Sequence, residues 1–210
     1  MKIFSYNWFK FKSKTSANTI NCSTAPKEYC LYVVLSRPRS IVAKIIQFYT
    51  RDTYTHAAIS FCSCLSEMYS FSRKWSYYPF LGRLSCERFD SGFLKRCQYL
   101  PGLVIKISLT RDEYEKAKRL VNIMFSQKKL YKYDMRGFFG NIFNISINSK
   151  NRFTCSKFVA YILHESGIAN FNQSLSLIRP QTLANIKGDV IYKGDLKKYA
   201  KVTSRSEIAS

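Results

Sequence analysis

Two residues of this chain have the side chains and the sequence settings that nucleophilic chemistry needs, Cys155 and His56. Thr154 can cap a helix that begins at Cys155, because an apolar face at helical spacing follows it. At a helix N-terminus, unpaired N–H groups and the helix dipole favour the thiolate, which is the nucleophilic form of cysteine. The alternative is a small buried cysteine that only fills the core.

Few side chains are available as a base for this thiolate, because the chain contains 2 histidines. His56 lies at the head of a segment with a strand pattern, and a histidine in such a position suits general-base work near neutral pH. Its alternative role is that of a strand-end histidine bonded to backbone. His164 follows about two and a half turns after Cys155 on the same predicted helix, too far for a hydrogen bond, so we expect a structural role for it.

Apolar patterns predict the strands that must position these residues. Residues 29–36 form a continuous apolar run of strand length, and residues 103–109 form another. Residues 55–61 and 67–71 are short apolar segments on either side of a polar turn, which is typical of a β-hairpin. Residues 190–192 predict a last short strand.

Helices are predicted at two further places. Thr110 and Glu113 have the spacing of a capping box and precede an apolar pattern with helical spacing. A short helix is predicted over residues 41–49. Residues 73–97 and 131–151 show no clean period and are predicted to be loops, the first of them long enough to cover a site or to conceal an element.

The order of these elements, together with two short motifs, resembles the circularly permuted papain-like cysteine peptidases of the NlpC type. That group includes the YiiX-like proteins and is related to the lecithin retinol acyltransferase family. In such proteins a histidine begins one strand of a hairpin, as in residues 55–59, THAAI, and the cysteine opens a later helix, as in residues 153–159, FTCSKFV. The resemblance extends over residues 29–192. It implies an α+β fold in which a central antiparallel sheet packs against helices.

The resemblance also implies a chemistry. Cys155 would be the nucleophile and His56 the base of a cysteine-dependent peptidase or amidase that works through an acyl-enzyme. Two alternatives stay open: a lipid acyltransferase or thioesterase of the same fold, and a catalytically inactive binding module with a basic surface. The substrate would be a peptide, an amide or a lipid ester, and no metal or organic cofactor is implied.

The family usually has a third polar residue that orients the histidine, on the strand after it. The matching stretch here is residues 67–71, EMYSF. Aligning the hairpin by its apolar residues places Ser70 at that position. Glu67 has the better chemistry for the role, because a carboxylate can hold an imidazolium, but it lies closer to the turn. Both residues are therefore candidates.

Composition indicates one globular domain with an unusually basic surface. Hydrophobic residues make up 46% of the 210 residues, and 34 Lys and Arg face 13 Asp and Glu, a net charge of +21. We expect an irregular arm over residues 1–27, one domain over 28–200 and a tail over 201–210. The charge suits attraction to an anionic surface or polymer, but no recognition motif predicts specific binding of nucleic acid.

The 7 cysteines and the lack of an apolar signal segment predict reduced thiols and a cytoplasmic location. No stretch approaches the roughly 20 apolar residues of a membrane span, so no transmembrane segment is predicted. Cys62 and Cys64 have C-x-C spacing without a second pair, which does not predict a zinc site.

Overall fold

The computed structural model describes residues 28–38, 48, 50–73, 82–134 and 149–208. A six-stranded antiparallel sheet, in the spatial order β4-β3-β2-β1-β5-β8, forms its centre. The strands are β1 Cys30–Ser36, β2 His56–Ser60, β3 Met68–Arg73, β4 Gly82–Glu87, β5 Pro101–Ser108, β6 Lys132–Tyr133, β7 Arg152–Phe153 and β8 Asp189–Asp195. Strands β6 and β7 form a separate parallel pair.

Helices cover both faces of this sheet, so the predicted α+β class is confirmed. They are α1 Gly92–Arg96, α2 Arg111–Ser126, α3 Cys155–Glu165, α4 Pro180–Leu183 and α5 Leu196–Ile208, with a 3₁₀ turn at Leu175–Leu177. The predicted hairpin is present as β2 and β3. The predicted capping box is present at the start of α2, where Thr110 accepts from the N–H of Glu113 and the Glu113 carboxylate accepts from the N–H of Thr110. No helix within these ranges is both long and apolar enough to cross a membrane.

Strand β1 anchors the core because every one of its residues is buried. Its odd-numbered residues, such as Leu31 and Val33, join the cluster under α2 and α3, whereas Tyr32 and Val34 join a second cluster on the other face. Burying one Val or Leu side chain contributes about 1.5–3 kcal/mol. A nearly continuous apolar run, here interrupted only by Ser36 at its end, is therefore what a central strand covered on both faces requires.

Helix α3 begins and ends where the sequence predicts. The Thr154 hydroxyl accepts from the N–H of Lys157, which makes Cys155 the first helical residue. Gly167 follows the last turn with a φ of +83°, a left-handed conformation that favours glycine. The apolar face of the helix, which includes Phe158 and Ile162, is fully buried against the sheet.

Two regions differ from the prediction. Residues 73–97 are not one long loop, because β4 and α1 lie within them. Strand β4 is at the edge of the sheet and Leu84 is its one buried residue, so its sequence shows little alternation. Helix α5 takes in most of the predicted tail, residues 201–210. The predicted arm and nearly all of the helix predicted over 41–49 lie outside the described residues.

Candidate active site

Strand β2 fixes the position of His56 at one end of the sheet. It pairs with β1 along its whole length, from Tyr32 opposite Ser60 to Ser36 opposite His56. It pairs with β3 at Ile59, which lies opposite Tyr69. Helix α3 packs against both β2 and β3, and this brings its first residue close to the start of β2.

The Cys155 thiol and the His56 ring are hydrogen-bonded to each other. The sulfur also accepts from the backbone N–H groups of Ala57, on β2, and of Ser156, in the first turn of α3. Cys155 is 9% exposed and belongs to the buried residues. The structure therefore brings together the two side chains that the sequence singles out.

Glu87, the last residue of β4, holds the other side of the imidazole. Its two carboxylate oxygens lie 3.0 and 3.1 Å from Nε2 of His56, and the side chains of His56 and Glu87 are 17% and 13% exposed. Because Nε2 faces the carboxylate, Nδ1 is the ring nitrogen left for the sulfur. Thiol, imidazole and carboxylate thus form a row across three elements: α3, β2 and β4.

Opposite charges in this row favour a thiolate and an imidazolium. Burial disfavours a charged ring, but the Glu87 carboxylate and the hydrogen bond to Cys155 outweigh it and raise the pKa of His56 to about 10. Burial likewise disfavours a thiolate, yet the hydrogen bond and charge of His56 lower the pKa of Cys155, as do the N–H groups of Ala57 and Ser156. The proton of the pair is therefore expected on the ring near neutral pH.

Neither residue predicted for the third position holds the ring. Ser70 is fully buried and its hydroxyl donates to the carbonyl oxygen of Ala57 at 2.7 Å, so it ties β3 to the backbone of β2. Glu67 accepts from the hydroxyl of Tyr69 at 3.0 Å and lies 3.7 Å from Arg88. The prediction that Ser70 or Glu67 contacts the His56 ring is therefore wrong. Glu87, which lies one strand further from His56, makes that contact instead.

Sequence reasoning missed Glu87 because it lies in the stretch predicted to be a loop. The available signal was weak: Leu84 and Cys86 alternate with polar residues directly before Glu87, which is a short strand pattern. The match between β3 and β4 puts Glu87 opposite Met68. The contact between His56 and Glu87 joins β2 to β4 across the intervening β3, and neither residue's local sequence pattern indicates it.

A buried lysine fixes the backbone that leads into α3. Lys157 is 6% exposed, and its ammonium donates to the carbonyl oxygens of Ser149 at 2.7 Å and Arg152 at 2.9 Å. The ammonium also lies over the Phe153 ring, 5.1 Å from its centre. The residues immediately before Cys155 are therefore held by polar bonds as well as by packing.

The chemistry open to this arrangement is attack by a thiolate on an electrophilic carbon, with an adjacent imidazolium as the proton donor. The backbone of Cys155 also belongs to a helix N-terminus, where N–H groups point toward incoming negative charge. Comparison of the chain with protein-family models, with curated proteins and with solved structures finds no match.

Proposed function

We propose that this chain is a cysteine hydrolase with a permuted papain-like fold of the NlpC type, and that it cleaves amide or ester bonds through an acyl-enzyme. One observation carries the proposal: the Cys155 thiol is hydrogen-bonded to His56 while Glu87 holds the far nitrogen of the same ring. The position of His56 before Cys155 in the chain agrees with the resemblance to the permuted families.

The reaction begins with the proton of the pair on His56. The Cys155 thiolate attacks the carbonyl carbon, a C–S bond forms, and the carbonyl oxygen becomes an oxyanion. The N–H of Cys155 at the start of α3 is placed to stabilise that oxyanion. His56 then gives its proton to the leaving amine or alkoxide as the C–N or C–O bond breaks, which leaves a thioester on Cys155.

Hydrolysis of the thioester completes the cycle. His56, now neutral, takes a proton from water while the water oxygen attacks the thioester carbonyl. The C–S bond breaks, the carboxylic acid product leaves, and the thiolate and imidazolium are restored. If another acceptor replaces water, the same steps give acyl transfer.

The presence of Glu87 favours an enzyme over an inactive binding module. A chain in which nothing holds the histidine ring is expected to lose activity, because an unrestrained imidazole spends little time aligned with the thiol. Here a carboxylate holds it at 3.0 Å. Burying the thiol, the imidazole and the carboxylate costs free energy, since each charged group loses hydration. An inactive binding module would gain nothing from that cost.

Acylation of the full-length chain by a p-nitrophenyl ester and a p-nitroanilide tests this proposal. We expect a stoichiometric burst of the chromophore and an acyl adduct on the peptide that contains Cys155, followed by turnover. Cys155→Ala removes both, whereas the matched control Cys97→Ala keeps them, because Cys97 lies near the end of α1. Adducts spread over several cysteines, with the signal unchanged in Cys155→Ala, would reject a dedicated nucleophile.

A further inference from the structure

One short stretch of the chain contacts both catalytic elements. Residues 178–181, here called the bridging segment, lead into α4 and contribute a backbone carbonyl, a guanidinium and a side-chain amide to polar contacts. One end of it binds the first turn of α3 and the other binds the residues that precede β2. These are the two elements that carry Cys155 and His56.

The contact with α3 is made next to the nucleophile. The hydroxyl of Ser156 donates to the carbonyl oxygen of Ile178, and Ser156 and Ile178 are 2% and 0% exposed. Ser156 follows Cys155 directly, and its N–H donates to the sulfur. The bridging segment is therefore bonded to the residue that itself helps to hold the thiolate.

The contacts with the residues before β2 are made by side chains of the bridging segment. Oε1 of Gln181 accepts from the N–H of Thr53 at 3.0 Å and from the N–H of Tyr54 at 3.4 Å. A guanidinium nitrogen of Arg179 lies 3.5 Å from the carboxylate of Asp52, which is almost completely buried. All three contacts reach the chain within four residues of His56.

The residues just before β2 need hydrogen-bond partners from other parts of the chain. Arg51 has a φ of +56°, in the left-handed region that a non-glycine residue rarely adopts. The ladder with β1 begins only after it, with the N–H of Thr55 donating to the carbonyl of Ser36 at 3.0 Å. Between these points, the amide of Gln181 is the acceptor that the structure gives to two successive N–H groups. An amide suits this role because its charge does not change with pH.

We infer that Gln181 is a positioning residue, which sets the place of His56 relative to Cys155 through the bridging segment. This role rests on the proposed function, since it matters to the reaction that Cys155 and His56 perform. Without the Gln181 acceptor, residues 53 and 54 lose their common partner and the start of β2 is free to shift. A shift of about 1 Å is enough to weaken a hydrogen bond between thiol and ring.

Alkylation of Cys155 by iodoacetamide as a function of pH, followed by peptide mass spectrometry, tests the inference without a substrate. In Gln181→Met the side chain keeps its size but loses the acceptor. We expect the midpoint of the pH–rate profile to move up and the rate at pH 6 to fall at least about fivefold, because less thiolate is present. Gln181→Glu keeps an acceptor oxygen and is expected to restore most of the rate.

Two further variants separate positioning from general damage. Thr110→Ala removes the cap of α2, away from the site, and is expected to leave the Cys155 profile unchanged. Ser156→Ala releases the bridging segment from its other end and is expected to shift the profile in the same direction as Gln181→Met. It also provides the test if Gln181→Met does not fold.

The outcomes distinguish this inference from the function on which it rests. If His56→Ala leaves the alkylation profile of Cys155 unchanged, the proposed function and the role of Gln181 fall together. If His56→Ala lowers the rate but Gln181→Met and Ser156→Ala keep the wild-type profile, the function stands and the positioning role is rejected. A loss in Gln181→Met that Gln181→Glu restores supports both.

Discussion

The groups around two thiols, Cys155 and Cys86, shift the pKa values of these thiols in opposite directions. Burial raises the pKa of Cys86, and the nearby carboxylates of Glu67 and Glu87 raise it further, although Arg88 and the N–H of Met68 act in the opposite direction. Burial acts in the same direction on Cys155, but the imidazolium of His56 and two backbone N–H groups lower the pKa of that thiol. Glu87 thus opposes the thiolate of Cys86 directly and favours that of Cys155 through His56. Burial thus raises the pKa of Cys86 with little opposition, whereas His56 and the two N–H groups outweigh burial at Cys155.

Removing the His56 imidazole should change the difference in reactivity between Cys155 and Cys86 more than any other substitution proposed below. In His56→Ala, we expect alkylation of Cys155 at pH 6.5 to fall about 100-fold, because a buried thiol without a cation beside it ionises far above neutral pH. Peptide-resolved mass spectrometry measures both thiols in one sample, and Cys86 is the internal control. Faster alkylation of both thiols would indicate unfolding, and a Cys155 rate that stays at the wild-type level would contradict the assignment of His56.

Neutralising Glu87 should move the two thiols in opposite directions. In Glu87→Gln the pKa of His56 should fall from about 10 toward the ordinary histidine value, which NMR titration of the ring can measure. Alkylation of Cys155 at pH 6.5 should drop about tenfold, since less of the ring carries the proton that favours the thiolate. The rate at Cys86 should rise slightly, because a carboxylate beside it is gone.

A change of the same sign at both thiols would show that Glu87 acts on the fold as a whole rather than through His56. Glu67→Gln is the matched control for this variant, since Glu67 is also near Cys86 but contacts Tyr69 and Arg88. It should raise the Cys86 rate and leave that of Cys155 unchanged.

The sequence predicts the positions of the proposed nucleophile and base because each is marked by its local setting. Thr154 followed by an apolar helical pattern locates Cys155 at a helix start, and the structure places it there. The buried run of β1 and the capping box before α2 are local signals of the same kind. Such signals depend on neighbours within one turn or one strand, which a single sequence contains.

The third member of the row depends on pairing between strands, which a single sequence does not contain. Glu87 and His56 lie on β4 and β2, which β3 separates in the sheet, and they are 31 positions apart in the chain. Edge strand β4 has a single buried residue, so its apolar pattern is too short to predict it. The resemblance to the permuted families predicts Ser70 or Glu67 because those families have the third residue on the strand that follows the histidine.

The pH dependence of stability gives an independent measure of the contact between His56 and Glu87. A raised pKa means that protonated His56 stabilises the fold fully below about pH 6.5, the unfolded value, and that this contribution disappears as the pH rises toward about 10. In a Cys155→Ala background, which removes the part of the raised pKa that Cys155 causes, we compare the free energies of unfolding with Glu87 and with Glu87→Gln. The advantage of Glu87 should shrink by about 1.4 kcal/mol or more over this interval, which corresponds to one pKa unit.

In this comparison the titrating groups away from Glu87 cancel, because both chains contain them, and Cys86→Ala in both chains removes the thiol whose pKa Glu87 raises. A difference between the two chains that stays constant from pH 6 to pH 10 would mean that the carboxylate does not stabilise the charged ring. Urea denaturation at several pH values, with unchanged m-values as the check on two-state behaviour, provides the free energies.

The smallest effect is expected at Ser70, and it separates a structural hydroxyl from a catalytic one. Ser70→Ala leaves the buried carbonyl of Ala57 without its 2.7 Å donor, which should cost about 1 kcal/mol of stability. The alkylation rate of Cys155 should change by less than about threefold, because the hydroxyl binds backbone and not the ring that controls the thiolate. Thermal denaturation and the labelling assay on the same preparation give the two numbers. A loss of labelling as large as that of Glu87→Gln, without loss of stability, would contradict the structural role and return Ser70 to the candidate site beside Glu87.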